Sequence, residues 1–288
     1  MRVTVLEAIQ KSTEFLGKKN VESPRLQAEL LLAHLLKMPR MKLYLNFDRQ
    51  LTAAETDALR ELIKRRGQRE PLQHITGSTS FCGFEMAVNR HVLIPRPETE
   101  QLAELGWQFL STINHQPSTC LDFCTGSGCL AIAIAAKCPS AKIVATDISA
   151  EALVLAKENA ARNNVAEKIE FLQGDGFAAL AAGAQFDLIV SNPPYIPSAE
   201  IETLEPEVRD FDPRLALDGG ADGLNFYRLL AAEAKSLLKP AGKIMVEFGD
   251  GQADAIKKIF ESEKWIVEAV REDYSQRARI LVAQASRL

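Results

Sequence analysis

Apolar residues recur at helical spacing through roughly the first seventy positions and then change to short strand-like runs. Leu6, Ile9, Phe15 and Leu16 mark a helix over 5–17. Ser23-Pro24 predicts an N-cap and a first-turn proline for a second helix over 25–38, with Leu26, Leu30, Ala33 and Leu36 as its buried face. Thr52, with Glu55 three residues on, forms a capping box for a third helix that runs through Leu59, Leu62 and Ile63 to Gly67. After Pro71 the period shortens: glycines at 77 and 83 and the alternation of Phe84, Met86 and Val88 predict a β-hairpin or extended connector. From Arg96 onward strands and helices take turns. Strands are expected over 119–123, 142–147, 168–173 and 186–191, with helices starting at Gly128 and spanning 150–163. A proline- and acid-rich loop through Gly220 leads to a helix over 225–238, a strand over 243–248, a helix over 252–260 and strands near 265–270 and 279–283. Such alternation predicts an α/β fold, a doubly wound domain with a mostly parallel sheet. The expected organisation is a helical domain over 1–72, a hairpin connector over 73–95 and the α/β domain over 96–288.

Composition narrows the classes. With 288 residues and 47% hydrophobic content, the chain can build one large core or two smaller ones. A net charge of −4 provides no overall positive field toward nucleic acid or an acidic membrane. The local basic run Lys64-Arg65-Arg66 with Arg69 reads as the solvated end of a helix. The longest uncharged apolar run, 129–136, is far short of the ~20 residues of a membrane span, and no apolar core follows the N-terminus; a cytoplasmic protein is expected. Cys82, Cys120, Cys124, Cys129 and Cys138 show no paired CxxC spacing and read as reduced thiols packed as small apolar groups. His34, His74, His91 and His115 lie apart in no ligand pattern, so no metal is expected.

Candidate chemistry gathers at predicted strand ends. Behind the first α/β strand, Cys124-Thr125-Gly126-Ser127-Gly128-Cys129-Leu130-Ala131 satisfies G-x-G-x-x-A, in which glycine permits a tight turn and close ligand approach. Asp147 ends the next strand, where an acid accepts both hydroxyl protons of a ribose. The third strand ends at Gly174-Asp175-Gly176-Phe177, with Asp175 placed to accept from an adenine amine and Phe177 to pack on its ring. The fourth ends at Asn192-Pro193-Pro194-Tyr195. Nicotinamide dinucleotides and S-adenosylmethionine both carry the ribose. A dehydrogenase, however, leaves the Asn-Pro-Pro-Tyr loop idle and lacks a supported His or Lys for hydride chemistry. A planar nitrogen awaiting a methyl group needs its N–H bonds held and its lone pair aimed. Asn192 offers a side-chain carbonyl, Pro193 a backbone carbonyl, the paired prolines stiffness and Tyr195 a ring. Methyl transfer to an amide or amine nitrogen is therefore expected. Its rivals are an N6-adenine amino-methyltransferase acting on DNA or RNA, disfavoured by the missing basic face, and a non-catalytic cofactor-binding interaction protein.

The chain also resembles release-factor glutamine methyltransferases of the HemK/PrmC type. The likeness rests on Glu70-Pro71-Leu72, Ile75-Thr76-Gly77 and Phe81, on Leu93-Ile94-Pro95-Arg96-Pro97-Glu98-Thr99-Glu100, on the glycine loop and Asp147, on Asn192-Pro193-Pro194-Tyr195-Ile196-Pro197, and on Asp273-Tyr274. The Ile-Pro-Arg-Pro-Glu-Thr-Glu segment is the most discriminating, since nucleic-acid amino-methyltransferases share the Asn-Pro-Pro-Tyr loop without that lead-in. As a plain structural element it is a proline-started helix whose acids favour the dipole. The resemblance implies a Rossmann-like class I S-adenosylmethionine-dependent methyltransferase domain preceded by a small N-terminal helical bundle and a β-hairpin connector. It implies methylation of the side-chain amide N5 of the glutamine in the Gly-Gly-Gln motif of class I peptide-chain release factors, modulating translation termination. It implies that Thr125, Gly126, Ser127, Gly128 and Cys129 contact the methionine part of the cofactor, Asp147 the ribose, and Asp175, Gly176 and Phe177 the adenine. Asn192, Pro193, Pro194 and Tyr195 would receive the substrate glutamine, Asn192 also bordering the cofactor, and Phe81 would close the pocket. Gly176 departs from the tryptophan often found there. The helical front, with no chemistry of its own, and the hairpin are expected to recognise the protein partner.

Overall fold

Two reciprocal capping boxes organise the helical front of this computed structural model, which describes residues 3–113 and 117–286; His115 lies outside the described residues. Thr4 Oγ1 accepts from the Glu7 amide at 3.2 Å and Glu7 returns the bond to the Thr4 amide at 3.0 Å, starting α1 (Val5–Lys18). α2 (Pro24–Leu35) begins with Pro24 at its first turn, as expected, but Ser23 sits at φ +47° and makes no side-chain cap. Its buried face is Ala28, Leu31, Leu32 and the expected Ala33, while Leu26 is 40% exposed. The consecutive leucines from Leu30 to Leu32 leave the helical phase undetermined in sequence, and packing on α1 and α4 selects it. α3 (Arg40–Leu43) follows, then α4 (Ala53–Gly67) behind the predicted Thr52/Glu55 box, and α5 (Leu72–Thr76). Val5, Leu16, Leu31, Leu32 and Leu43 form the centre of this core.

The basic run is solvated only in part, with Lys64 exposed and Arg66 buried. Arg66 is 4% exposed, with its guanidinium on Gln27, the Glu70 carbonyl and Glu207; Arg69 pairs with Glu205 and Glu207, and Arg65 with Glu70. These pairs place the segment Glu205–Phe211 in one compact unit with Met1–Gly77; the second unit comprises Ser78–Leu204 and Asp212–Leu288.

The second unit opens with a hairpin, β1 (Ser78–Phe81) and β2 (Phe84–Ala87). Cys82 and Gly83 both have positive φ, +50° and +81°, the signature of a type I′ turn. Then come α6 (Pro97–Ser111), β3 (Thr119–Phe123), α7 (Cys129–Lys137), β4 (Lys142–Asp147), α8 (Ala150–Arg162), β5 (Ile169–Gln173) and β6 (Phe186–Ser191). After the loop carrying α9 (Pro206–Arg209) follow α10 (Asn225–Glu233), β7 (Leu238–Glu247), α11 (Ala253–Ser262), β8 (Trp265–Glu272) and β9 (Ala278–Ala285). The seven-stranded sheet has the order β5-β4-β3-β6-β7-β9-β8, parallel from β5 to β7, with β9 antiparallel to both neighbours. β7 starts five residues before the expected strand because Leu238 already pairs with Phe186. The ladder then shifts and resumes at Lys243 opposite Leu188, accommodating Pro240 in the irregular stretch. α7 is apolar on every side and buried throughout from Cys129 to Ala135, which is why its sequence shows no amphipathic stripe. No helix among the described residues is long and apolar enough to cross a membrane. The five cysteines are free thiols, three of them buried.

Candidate active site

The turn from β3 into α7 is built around Asp122, the second-last residue of β3. Its Oδ2 accepts from Thr125 Oγ1 at 2.6 Å and from the Ala131 amide at 3.1 Å, satisfying an N–H of the first turn of α7. Burial drives its carboxyl up to about 7, against the pull of those two donors. Gly128 caps the helix at φ +81°, where a Cβ would lie 3.1 Å from Ala156 Cβ. Glycine therefore lets α8 approach. The loop is held from the other side by Asp147 and Asn159. Asp147 Oδ2 accepts from the Gly126 amide at 2.8 Å and Oδ1 from the Ser149 amide at 2.9 Å. Fully buried Asn159 on α8 donates to the Ser127 carbonyl at 3.0 Å while bridging both backbone groups of Ala87.

A cavity of about 300 Å³ opens over these strand ends. It lies where the order of a doubly wound sheet reverses, between β3 with β4 on one side and β6 on the other. Thr125, Gly126, Ser127, Cys129, Asp147, Asp175, Gly176, Asn192 and Pro194 all line it. Four separate strand ends thus converge on one volume. Burial raises the Asp147 carboxyl, and the amides of Ser149, Gly126 and Ile148 lower it. With each oxygen already oriented by a backbone N–H, its remaining lone pairs suit two hydroxyl groups. The space a Cβ would take at Gly126 holds no protein atom within 4 Å. Volume, acid and open loop fit an adenosine-bearing cofactor such as S-adenosylmethionine.

Some expected residues stand apart. Gly128 is spent on the α7 cap, and Pro193 and Tyr195 border the Asn192 wall without lining the cavity. Phe177 packs on Phe123 with ring centroids 4.7 Å apart, and Phe226 and Leu215 supply apolar lining instead. Phe81, at 1% exposure, sits in the core with Met86, Leu102 and Leu130; full burial of a large ring fixes it there rather than at the pocket.

The Asn192 loop is rigidly placed. Ser191 Oγ donates to the Phe123 carbonyl at 2.6 Å, tying β6 to β3. Gln252 donates to the Tyr195 carbonyl at 2.9 Å, and Gly223, at φ +74°, passes so close that a Cβ would stand 2.3 Å from that oxygen. Asn192 Nδ2 donates to Thr99 Oγ1 at 3.1 Å, while its Oδ1 is buried without a partner. Pro97 starts α6 with Glu98 and Glu100 in the first turn, as the lead-in motif predicts. Arg96 pairs with buried Asp212 at 2.9 Å; burial still carries the Asp212 carboxyl to about 6. Sequence reasoning passed over Asn159, Glu247, Pro213, Leu215 and Phe226. A polar residue in the buried phase of α8 and an acid ending apolar β7 were readable signals; the loop and α10 residues had none.

The family described as PrmC N-terminal domain matches residues 7–77, and the Methyltransferase small domain matches 106–205. The release factor glutamine methyltransferase of Geobacter sulfurreducens is 44% identical over 257 residues, covering 89% of this chain and 88% of that protein. That of Chlorobaculum tepidum is 40% identical over 289 residues, covering 98% and 97%. Among solved structures, a methyltransferase from Pyrococcus furiosus superposes with a TM-score of 0.52 at 20% identity, covering 76% of this chain and 97% of that one. The Thermus thermophilus 16S rRNA N2 G1207 methyltransferase gives 0.51 at 18%, covering 73% and 50%. These two share the fold. Identity at this level along nearly the whole length, on a site shaped for an adenosyl cofactor, makes the chain a member of the S-adenosylmethionine-dependent release factor glutamine methyltransferase family.

Proposed function

We propose that this chain methylates the side-chain amide N5 of the glutamine in the Gly-Gly-Gln motif of class I peptide-chain release factors, in the cytoplasm, and so modulates translation termination. The observation that carries the reading is Asn192 Oδ1, a buried acceptor without a partner at the carboxyl edge of β6, on a cavity suited to the cofactor. S-adenosylmethionine, when bound, supplies an electrophilic methyl group on a positively charged sulfur. Thr125, Gly126, Ser127 and Cys129 would hold its methionine part, Asp147 the ribose, and Asp175 with Gly176 the adenine.

A carboxamide nitrogen is a weak nucleophile because its lone pair is delocalised into the carbonyl. Asn192 Oδ1 and the Pro193 carbonyl accept its two N–H bonds, which raises electron density on nitrogen and turns it toward the cofactor; the one proton that the methyl group displaces from nitrogen is lost to solvent or to a carbonyl after transfer. Each such bond contributes only ~1 kcal/mol net. Orientation and proximity, worth on the order of 7–11 kcal/mol, therefore supply most of the acceleration. Pro194 and Tyr195 keep water from the reacting nitrogen. The helical front recognises the protein partner, the net charge of −4 suiting a basic surface.

Transfer from labelled S-adenosylmethionine to a release factor, with mass spectrometry locating one added methyl on the glutamine, tests the reading. Asn192→Ala should slow transfer by about a hundredfold or more with cofactor affinity little changed. A near wild-type rate in that variant, or transfer to adenine in nucleic acid instead, overturns it.

A further inference from the structure

Asn192 can serve the proposed chemistry only with its amide in one of two orientations. Oδ1 must face the incoming N–H bonds; turned over, the side chain presents Nδ2, a donor against donors. Nothing in Asn192 itself makes that choice. Its Nδ2 meets Thr99 Oγ1 at 3.1 Å. A hydroxyl accepts such a bond best when its own proton is committed elsewhere, and the group that faces it is Glu247, the last residue of β7. Thr99 is 2% exposed and Glu247 is 3% exposed, and neither the Glu247 Oε2 nor the Asn192 Oδ1 has a partner. Thr99 lines the cavity, whereas Glu247 stands behind it and does not.

We propose that Thr99 and Glu247 are positioning residues for methyl transfer: Glu247 as carboxylate accepts a hydrogen bond from the Thr99 hydroxyl, Thr99 Oγ1 accepts one from Asn192 Nδ2, and Asn192 Oδ1 is thereby fixed as the acceptor. The proposal rests on the reading of Asn192 given above. It assigns a task to the threonine of the Ile-Pro-Arg-Pro-Glu-Thr-Glu segment, which joins that segment to the Asn-Pro-Pro-Tyr loop through buried Thr99 on α6, buried Glu247 on β7 and half-buried Asn192 at the β6 edge.

The relay is sensitive to pH. Burial brings the Glu247 carboxyl up to about 7, opposed by the hydrogen-bonding Thr99 and Asn192. The other titratable groups facing it are Glu98 on α6, which raises it further, and Arg279 on β9, which lowers it, together with Tyr195, Tyr227 on α10 and Cys129 on α7. Arg279 is itself engaged by Asp273 at 3.1 Å. Protonated Glu247 gains a donor where the relay requires an acceptor, so it no longer orients the Thr99 hydroxyl. Activity then falls as pH drops through about 7.

The test uses the full chain, saturating S-adenosylmethionine and a release factor substrate. Thr99→Val should lower kcat about tenfold or more while cofactor Kd by calorimetry stays within about twofold, and Thr99→Ser, which restores the hydroxyl, should recover most of the loss. Glu247→Gln keeps an acceptor oxygen and cannot ionise, so its kcat should lose the acid limb that the wild type shows near neutrality. Equal loss in the Val and Ser variants, or a Gln variant with the wild-type limb intact, overturns the relay. The Asn192→Ala result separates the two ideas: inactive Asn192→Ala beside fully active Thr99→Val removes the relay and leaves the acceptor role standing.

Discussion

Replacing Asn159 with alanine probes the support beneath the cofactor loop. Asn159 is fully buried on α8, with Oδ1 accepting from the Ala87 amide at 2.7 Å and Nδ2 donating to the Ala87 and Ser127 carbonyls, each at 3.0 Å. The need for it follows from the hairpin register. Phe81 and Phe84 flank the two-residue turn as a hydrogen-bonded pair, so by alternation Ser78 and Ala87 form a non-hydrogen-bonded pair and the Ala87 backbone groups face away from β1. Alanine would orphan three backbone groups sealed from water. At ~1–3 kcal/mol each the upper range is severe, and a water entering the vacated polar space offsets part of it, leaving about 3–5 kcal/mol. Both tryptophans, Trp107 and Trp265, lie in this unit, so urea unfolding followed by fluorescence reports on it directly. With an m-value of roughly 3 kcal/mol/M, the midpoint should fall by about 1 M or more at unchanged slope. Because Ser127 loses its tether, cofactor Kd should weaken at temperatures where the variant is still folded. A midpoint shift under about 0.3 M, with cofactor affinity intact, would refute the argument that Asn159 clamps the loop.

Two further outcomes are expected. Asp147→Ala removes the proposed ribose acceptor and frees the Gly126 and Ser149 amides, so calorimetry should show cofactor affinity weakened on the order of a hundredfold with the fold intact; unchanged affinity would reject the assignment. Asp122 and Glu247 both titrate near 7 in the folded chain, far above the ordinary carboxylate range, because burial disfavours their charge. The folded state therefore holds more protons than the unfolded one between about pH 4 and 7, and stability falls as pH rises through that window. Cofactor-free protein should be more stable at pH 5.5 than at pH 8 by on the order of 2–4 kcal/mol, measured as urea midpoints, while kcat of the cofactor-saturated enzyme moves the opposite way.

The period of apolar residues, the proline and glycine punctuation and the capping boxes were enough to specify the helical front, the hairpin and the α/β alternation, since those signals are local and each is read within a few residues. They also located the strand-end residues Thr125, Asp147, Asp175 and Asn192, because in a parallel sheet every carboxyl end points to the same edge and a ligand-type residue there is conspicuous. What sequence could not decide was partnership across distance. The phase of α2 stayed open where three leucines adjoin; the basic run at Arg66 looked solvated until Glu207, far along the chain, came to neutralise it. Phe81 was placed at a pocket until the core claimed it, and Thr99, Asn159 and Glu247 acquired meaning only through neighbours tens to well over a hundred positions away. Hydrophobic pattern dictates which elements form and which faces are buried; which polar atoms meet inside is fixed by the folded packing, where each buried donor must find its acceptor or bear the cost of desolvation.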